Sequence, residues 1–223
     1  MPLPKSFRIL TIYIILKKTL SFSTDRQPAE DRQSPNYLQI RAAQLEDVSV
    51  IAEILADSFH AKDGLLGWAY PLLRLGIAED VRNRLHTKVP YHRCLVALDS
   101  TAKVETAGNL CSGGETLAGT LEIAVRPSTI PWGNSHLRYP YLSNLAVRPK
   151  SRRQGIAAQL LLSCEQVVLE WGFHDIYLHV LENNYQARQL YFKLGYRLHR
   201  IDNSWSNRMF GRPQQILLSK QLP

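Results

Sequence analysis

Apolar positions along the chain recur with two periods, and the switches between them mark out its elements. Alternation over Tyr37 to Arg41 predicts a short strand. From Asp47 to Phe59 the apolar positions Val48, Ile51, Ile54, Leu55 and Phe59 follow the spacing of one helical face, with Glu46 and Asp47 at its positive end. A second helix is predicted over Ile77 to Lys88 and a strand over Cys94 to Leu98. Glu105 to Glu115 contains Gly108, Gly113 and Gly114 and reads as a turn region, followed by a strand over Leu117 to Val125. Pro127, Pro131, Gly133 and Pro140 mark Pro127 to Pro140 as a loop, which carries Trp132 and His136.

The pattern is sharpest further on. Tyr141 to Val147 predicts a strand. Gln154 to Trp171 is the strongest helix, with a stripe at Ile156, Leu160, Leu161, Cys164, Val167 and Val168 and a stop at Gly172. Ile176 to Val180 reads as a strand and Asn184 to Leu194 as a helix ended by Gly195. Tyr196 to Ile201 and Gln214 to Ser219 close the chain as strands, and no internal repeat is visible.

Composition narrows this picture without redirecting it. The 223 residues suffice for one α/β domain with its own core, and 45% apolar with 21% charged residues is ordinary for a globular chain. Cys94, Cys111 and Cys164 are far apart and odd in number, which suggests neither a disulfide framework nor a metal site and fits a reducing compartment. A net charge of +8 raises nucleic acid as a partner. No stretch interleaves basic and aromatic residues as a reader motif would, so none is expected.

Residues 1–36 stand apart, with no acidic residue before Asp25. The apolar run Ile9 to Leu16 sits between Lys5, Arg8, Lys17 and Lys18. It is shorter than the roughly 20 residues that span a bilayer, so no stable membrane insertion is expected. The segment is either signal-like or transit-like, or an upstream extension of no structural weight. Ser21 to Pro35 reads as a linker, and the folded domain is expected over 37–223.

Candidate chemistry begins where the strand Tyr141 to Val147 runs into Arg148-Pro149-Lys150-Ser151-Arg152-Arg153-Gln154-Gly155-Ile156-Ala157. A strand, a basic glycine-containing turn and a long helix make an anion site, because the first N–H groups of a helix have no partner inside it and its dipole favours negative charge. Gly155 removes a side chain where a phosphate would approach the backbone, Ala157 keeps the next turn small, and Arg152 and Arg153 offer charge-assisted hydrogen bonds.

Arg152-Arg153-Gln154-Gly155-Ile156-Ala157 resembles the R/Q-x-x-G-x-G/A signature of GNAT acetyltransferases, with Ala157 where Gly is commoner. Asn184-Tyr185-Gln186-Ala187-Arg188-Gln189-Leu190-Tyr191 resembles that family's N-x-x-A-x-x-x-Y, and Phe192 to Tyr196 resembles its usual ending. The resemblance is clearest over 117–200. It is closest to protein N-terminal and lysine acetyltransferases, including those of plastids and cyanobacteria, through Tyr141 to Val147 and Ile176 to Val180. The loop with Trp132 is longer than in many relatives.

The resemblance implies an α+β GNAT fold, a central mixed twisted sheet of six to seven strands flanked by about four helices. It implies acetyl-CoA as co-substrate. The pyrophosphate would lie on Arg152, Arg153, Gln154, Gly155, Ile156, Ala157 and Ala158. The pantetheine arm would meet the backbone of Leu145, Ala146 and Val147, with Asn184, Tyr185 and Gln186 beside it. Tyr191 would protonate the leaving thiolate. Tyr141 and His179 occupy positions that some N-terminal acetyltransferases use to deprotonate the amine through water. Glu122, read as a carboxylate facing a cleft, is a competing base. The acceptor is expected to be a protein or peptide amine and the compartment the cytoplasm, with the plastid stroma as alternative. Two other readings stay open: an enzyme acting on a small amine, and a non-catalytic acyl-CoA-binding module, against which Tyr191 argues.

Overall fold

The computed structural model describes residues 38–59, 70–87, 89–100, 104–106, 109–111, 116–127, 138–202 and 213–223. The extension 1–36, Tyr37, Gly108, Gly113, Gly114, Pro131, Trp132, Gly133 and His136 lie outside the described residues.

Seven strands form one sheet in the order β1-β2-β5-β6-β7-β9-β8: β1 Leu38–Ala42, β2 His92–Asp99, β5 Thr116–Pro127, β6 Arg138–Val147, β7 Asp175–Leu181, β8 Arg197–Asp202 and β9 Gln215–Gln221. All neighbours are antiparallel except β6 and β7. β3 Val104–Thr106 and β4 Asn109–Cys111 pair separately, overlapping the Glu105 to Glu115 stretch read as a turn region. Four α-helices accompany the sheet among the described residues: α1 Val48–Phe59, α2 Tyr70–His86, α3 Ile156–Glu170 and α4 Tyr185–Lys193.

Alternation along the strands divides the core in two. One cluster joins Val48, Ile51, Ile54 and Leu55 of α1 and Ile77 and Val81 of α2 to Cys94, Val96 and Leu98 of β2. On the other face Leu160, Leu161, Cys164 and Val168 of α3 pack on Leu95, Leu121, Ile123, Leu142 and Leu178, joined by Tyr191 and Tyr196. Gly119 lets α3 come close: a Cβ there would meet the Ala146 carbonyl oxygen at 3.0 Å and Ile156 and Leu160 at 3.2 Å.

The helix of α2 begins seven residues before the predicted Ile77. Pro71 suits a first helical turn, and the early turns leave Leu72 and Leu75 exposed, so no buried stripe marks them. β6 likewise begins at Arg138, inside the stretch read as loop: Pro140 is buried but paired with Val125 in the antiparallel register.

Candidate active site

The site is organised by how β6 leaves its neighbour. β6 and β7 are in register only at Tyr141↔Tyr177 and Leu142↔Leu178. Beyond Leu142 the two strands part, although β6 stays paired with β5 as far as Gly119↔Val147. The parting leaves the β7-facing edge of Leu145, Ala146 and Val147 without a strand partner among the described residues, so backbone groups face an opening in the middle of the sheet. A bulge lies at the same place. Thr120 faces Ala146 and Glu122 faces Ser143, so Leu121 alone opposes Asn144 and Leu145, and Asn144 has φ 55°.

At the end of β6 the chain makes a short 3-10 turn, Pro149–Ser151, and reaches α3 through Arg153 (φ 66°) and Gly155 (φ 82°). The left-handed conformation is what requires glycine at 155, since a Cβ there would meet nothing within 4 Å. No side chain caps α3. The N–H groups of Ile156, Ala157 and Ala158 precede the first backbone bond of the helix, from Gln159 N to the Gly155 carbonyl. Gln154 and Gly155 are exposed, as are Arg152 and Arg153. An open space before an uncapped helix end fits a pyrophosphate. Arg148, the first basic residue of this run, turns away from the helix end, its Nε donating to the Leu117 carbonyl at 2.8 Å and its guanidinium pairing with Glu53 at 3.2 Å.

On the sheet face carrying Tyr141, the Tyr141 hydroxyl and His179 Nδ1 are 2.8 Å apart. The Arg126 guanidinium lies 3.6 Å from the centre of the Tyr141 ring. Tyr139 stands edge-on to Tyr141 and Tyr177, and Tyr177 edge-on to His199. Burial pushes the Tyr141 phenol above its ordinary range, against the opposing pull of Arg126 and the bond to His179. Tyr191 is buried on α4, edge-on to Tyr196, and burial, with a smaller push from Tyr141, holds its phenol protonated far above the ordinary value. Asn184 caps α4, its side chain accepting from Ala187 N at 3.2 Å; Tyr185 and Gln186 are exposed on the first turn.

Glu122 is buried within a polar cluster. It is 4% exposed and lines a small pocket together with Arg84, His92, Cys94, Thr120 and Asn144. His92 Nε2 lies 2.6 Å from one carboxylate oxygen, while Asn144 Nδ2 at 2.6 Å and the Arg84 guanidinium at 2.9 Å hold the other. Burial pushes this carboxyl up, but the His92 hydrogen bond and the Arg84 charge outweigh it and leave it lowered. With both oxygens engaged and a depressed pKa, Glu122 is poorly suited to accept an amine proton. Sequence reasoning passed over Arg84, His92, Arg126 and Asn144. Asn144 alone carried a signal: asparagine is depleted in strands and tolerates left-handed backbone.

GCN5-related N-acetyltransferase 7, chloroplastic, of Arabidopsis thaliana is 37% identical over 83 residues, 37% of this chain and 30% of that protein. GCN5-related N-acetyltransferase 10, chloroplastic, of the same plant is 25% identical over 180 residues, 79% of this chain and 68% of its own length. The chain thus spans less than a third of the first relative. Among solved structures, the PaiA N-acetyltransferase of Thermoplasma acidophilum in complex with coenzyme A superposes with a TM-score of 0.58 at 18% identity, covering 82% of this chain and 98% of that one. A GCN5-related N-acetyltransferase from Kribbella flavida gives 0.58 at 20% identity, covering 85% and 100%. At such identities the likeness is one of fold, which is the expected GNAT architecture. The model of the Acetyltransferase (GNAT) family matches residues 78–196, more than half of the chain and the whole of the parted strands, the turn and α4 up to Tyr196, and the protein belongs to that family.

Proposed function

We propose that the protein transfers an acetyl group from acetyl-CoA to a primary amine of a protein or peptide, at an N-terminal α-amino group, a lysine side chain, or both. The observation that carries the reading is the parting of β6 from β7 beside an uncapped helix end. One opening thereby offers strand backbone to a pantetheine arm and free N–H groups to its pyrophosphate.

In this reading Arg152, Arg153, Gln154, Gly155, Ile156, Ala157 and Ala158 hold the pyrophosphate, and Leu145, Ala146 and Val147 the arm. Asn184, Tyr185 and Gln186 flank it. The neutral amine nitrogen attacks the thioester carbonyl carbon and the carbon–sulfur bond breaks. Tyr191, which burial keeps protonated, gives its proton to the departing thiolate. The amine's proton leaves through water toward the Tyr141–His179 pair. Holding both reactants in one cleft supplies much of the acceleration.

Arg126 favours a peptide over a polyamine. Its guanidinium on the Tyr141 ring puts positive charge beside the proposed acceptor position, where a polycation would need carboxylates. Both named relatives are chloroplastic, which supports the plastid stroma beside the cytoplasm as a compartment. The test is intact-mass analysis after incubation with acetyl-CoA and three acceptors: a peptide with a free N-terminus, an N-blocked lysine peptide and spermidine. Acetylation of either peptide above spermidine supports the reading. A preference for spermidine overturns the acceptor class, and no transfer to any amine overturns the activity.

A further inference from the structure

The bulge in β6 is held by a buried device that the proposed chemistry does not use. Asn144 sits at φ 55°, a conformation that costs any residue with a Cβ and that asparagine bears better than most. Its side chain is not free to turn outward: Asn144 is 9% exposed and donates to Glu122 Oε2 at 2.6 Å. Glu122 is fixed in turn from two further elements, by Arg84 of α2 at 2.9 Å and His92 of β2 at 2.6 Å. Asp80, one turn before Arg84, pairs with the same guanidinium at 2.7 Å. Three elements, β6, α2 and β2, therefore converge on the carboxylate that β5 carries, and that carboxylate grips the residue at which β6 bulges. Pairing between β6 and β7 ends two residues earlier, at Leu142, and the backbone assigned to the pantetheine arm begins one residue later, at Leu145.

We propose that Glu122 is a positioning residue: through Asn144 it locks the β6 bulge and so sets where the Leu145–Val147 edge presents its backbone to the thioester and its arm. The inference rests on reading that edge as the coenzyme's, and it assigns Glu122 no proton transfer. Its chemistry is that of a fixed acceptor. A carboxylate with partners on both oxygens cannot shift without leaving a buried donor unsatisfied, so it transmits the rigidity of α2 and β2 to the strand.

Four variants test this, read by kcat, by KM for acetyl-CoA, by the pH profile of kcat/KM and by amide hydrogen exchange at residues 143–146. Glu122→Gln keeps an oxygen for Asn144, and Asp80 remains as counter-charge to Arg84. It should lose no more than about threefold in kcat, with the acidic limb of the pH profile unmoved. Glu122→Leu removes the acceptor and should lose roughly tenfold or more. Should the leucine variant fail to fold, Asn144 decides the matter with the Glu122, Arg84 and His92 cluster left intact. Asn144→Ala keeps the conformational penalty and loses the grip, so kcat should fall about tenfold and exchange at 143–146 should quicken; Asn144→Gly, free to adopt positive φ, should recover most of that loss. Abolished turnover in Glu122→Gln would overturn the proposal in favour of a base. Equal kcat and equal exchange in the alanine, glycine and unaltered proteins would overturn it as well. If the unaltered protein transfers no acetyl group, the functional reading falls, and exchange alone still decides the anchor: faster in Asn144→Ala than in Asn144→Gly supports it, equal rates overturn it.

Discussion

The turn at 152–158 and the Tyr141–His179 pair lie toward opposite ends of the opening beside β6, and they are made by different means. The turn is one unbroken run of chain. Its working parts are backbone N–H groups and a left-handed glycine, and the side chains of Arg152, Arg153 and Gln154 are exposed. The pair is made of side chains from two strands, 38 residues apart in sequence, with Arg126 of a third strand stacked on it. The first should tolerate changes of side chain and fail when the backbone is altered; the second should fail when one hydroxyl or ring is removed while the backbone stays as it was.

The largest expected effect sharpens the second half of that contrast. Tyr191→Phe removes one proton donor and almost no volume, so kcat should fall about 10²–10⁴-fold, the usual worth of general acid catalysis, with the Kd for acetyl-CoA nearly unchanged. Full turnover in that variant would remove Tyr191 from the mechanism and leave water or His179 as proton source. Next comes the turn. Gly155→Glu places a Cβ at φ 82° and a negative charge at the helix end, so coenzyme affinity measured by calorimetry should weaken roughly a hundredfold. Unchanged affinity would reject the site. Because a Cβ at 155 meets nothing within 4 Å, the loss should come without a large drop in melting temperature.

A smaller effect should follow pH. Burial raises the phenols of Tyr191 and Tyr196 above the ordinary value of 10.0. The folded state therefore keeps protons that the unfolded chain gives up, and the stability this confers is fully present below about pH 10 and declines as pH rises beyond it. Melting temperature should fall above about pH 10, and less steeply in Tyr196→Phe. The smallest effect is expected from the region outside both halves: a chain beginning at Gln33 should show kcat/KM for acetyl-CoA within about twofold of the full chain, since Ser21 to Pro35 has a linker's composition. A folded truncation without acetyl transfer would show that the extension contributes to the site.

How far the sequence reached depended on the range of the interactions involved. α3 and its turn were legible because a helical stripe, a glycine and a row of basic residues are local statements, each written within a few positions. The start of α2 was not, because Leu72 and Leu75 point to solvent and an exposed apolar residue carries no period. Glu122 was legible as a carboxylate in a strand, but its surroundings were not, because they come from far along the chain: Arg84 arrives from 38 positions before it and Asn144 from 22 after. The partner of Arg148 was hidden for the same reason, Glu53 lying 95 residues away.

The sequence by itself determined the order of strands and helices from β5 onward and the glycine turn before α3, and it singled out Tyr191 as a candidate, since those rest on periodicity, glycine and the spacing within one helix. Tertiary structure alone decided that β6 parts from β7 after Leu142, that Tyr141 meets His179, and that Glu122 is spent on Asn144. Each of those needs strands brought side by side in a particular register. Register is set by the burial of both sheet faces at once, a condition that no single segment of the chain contains.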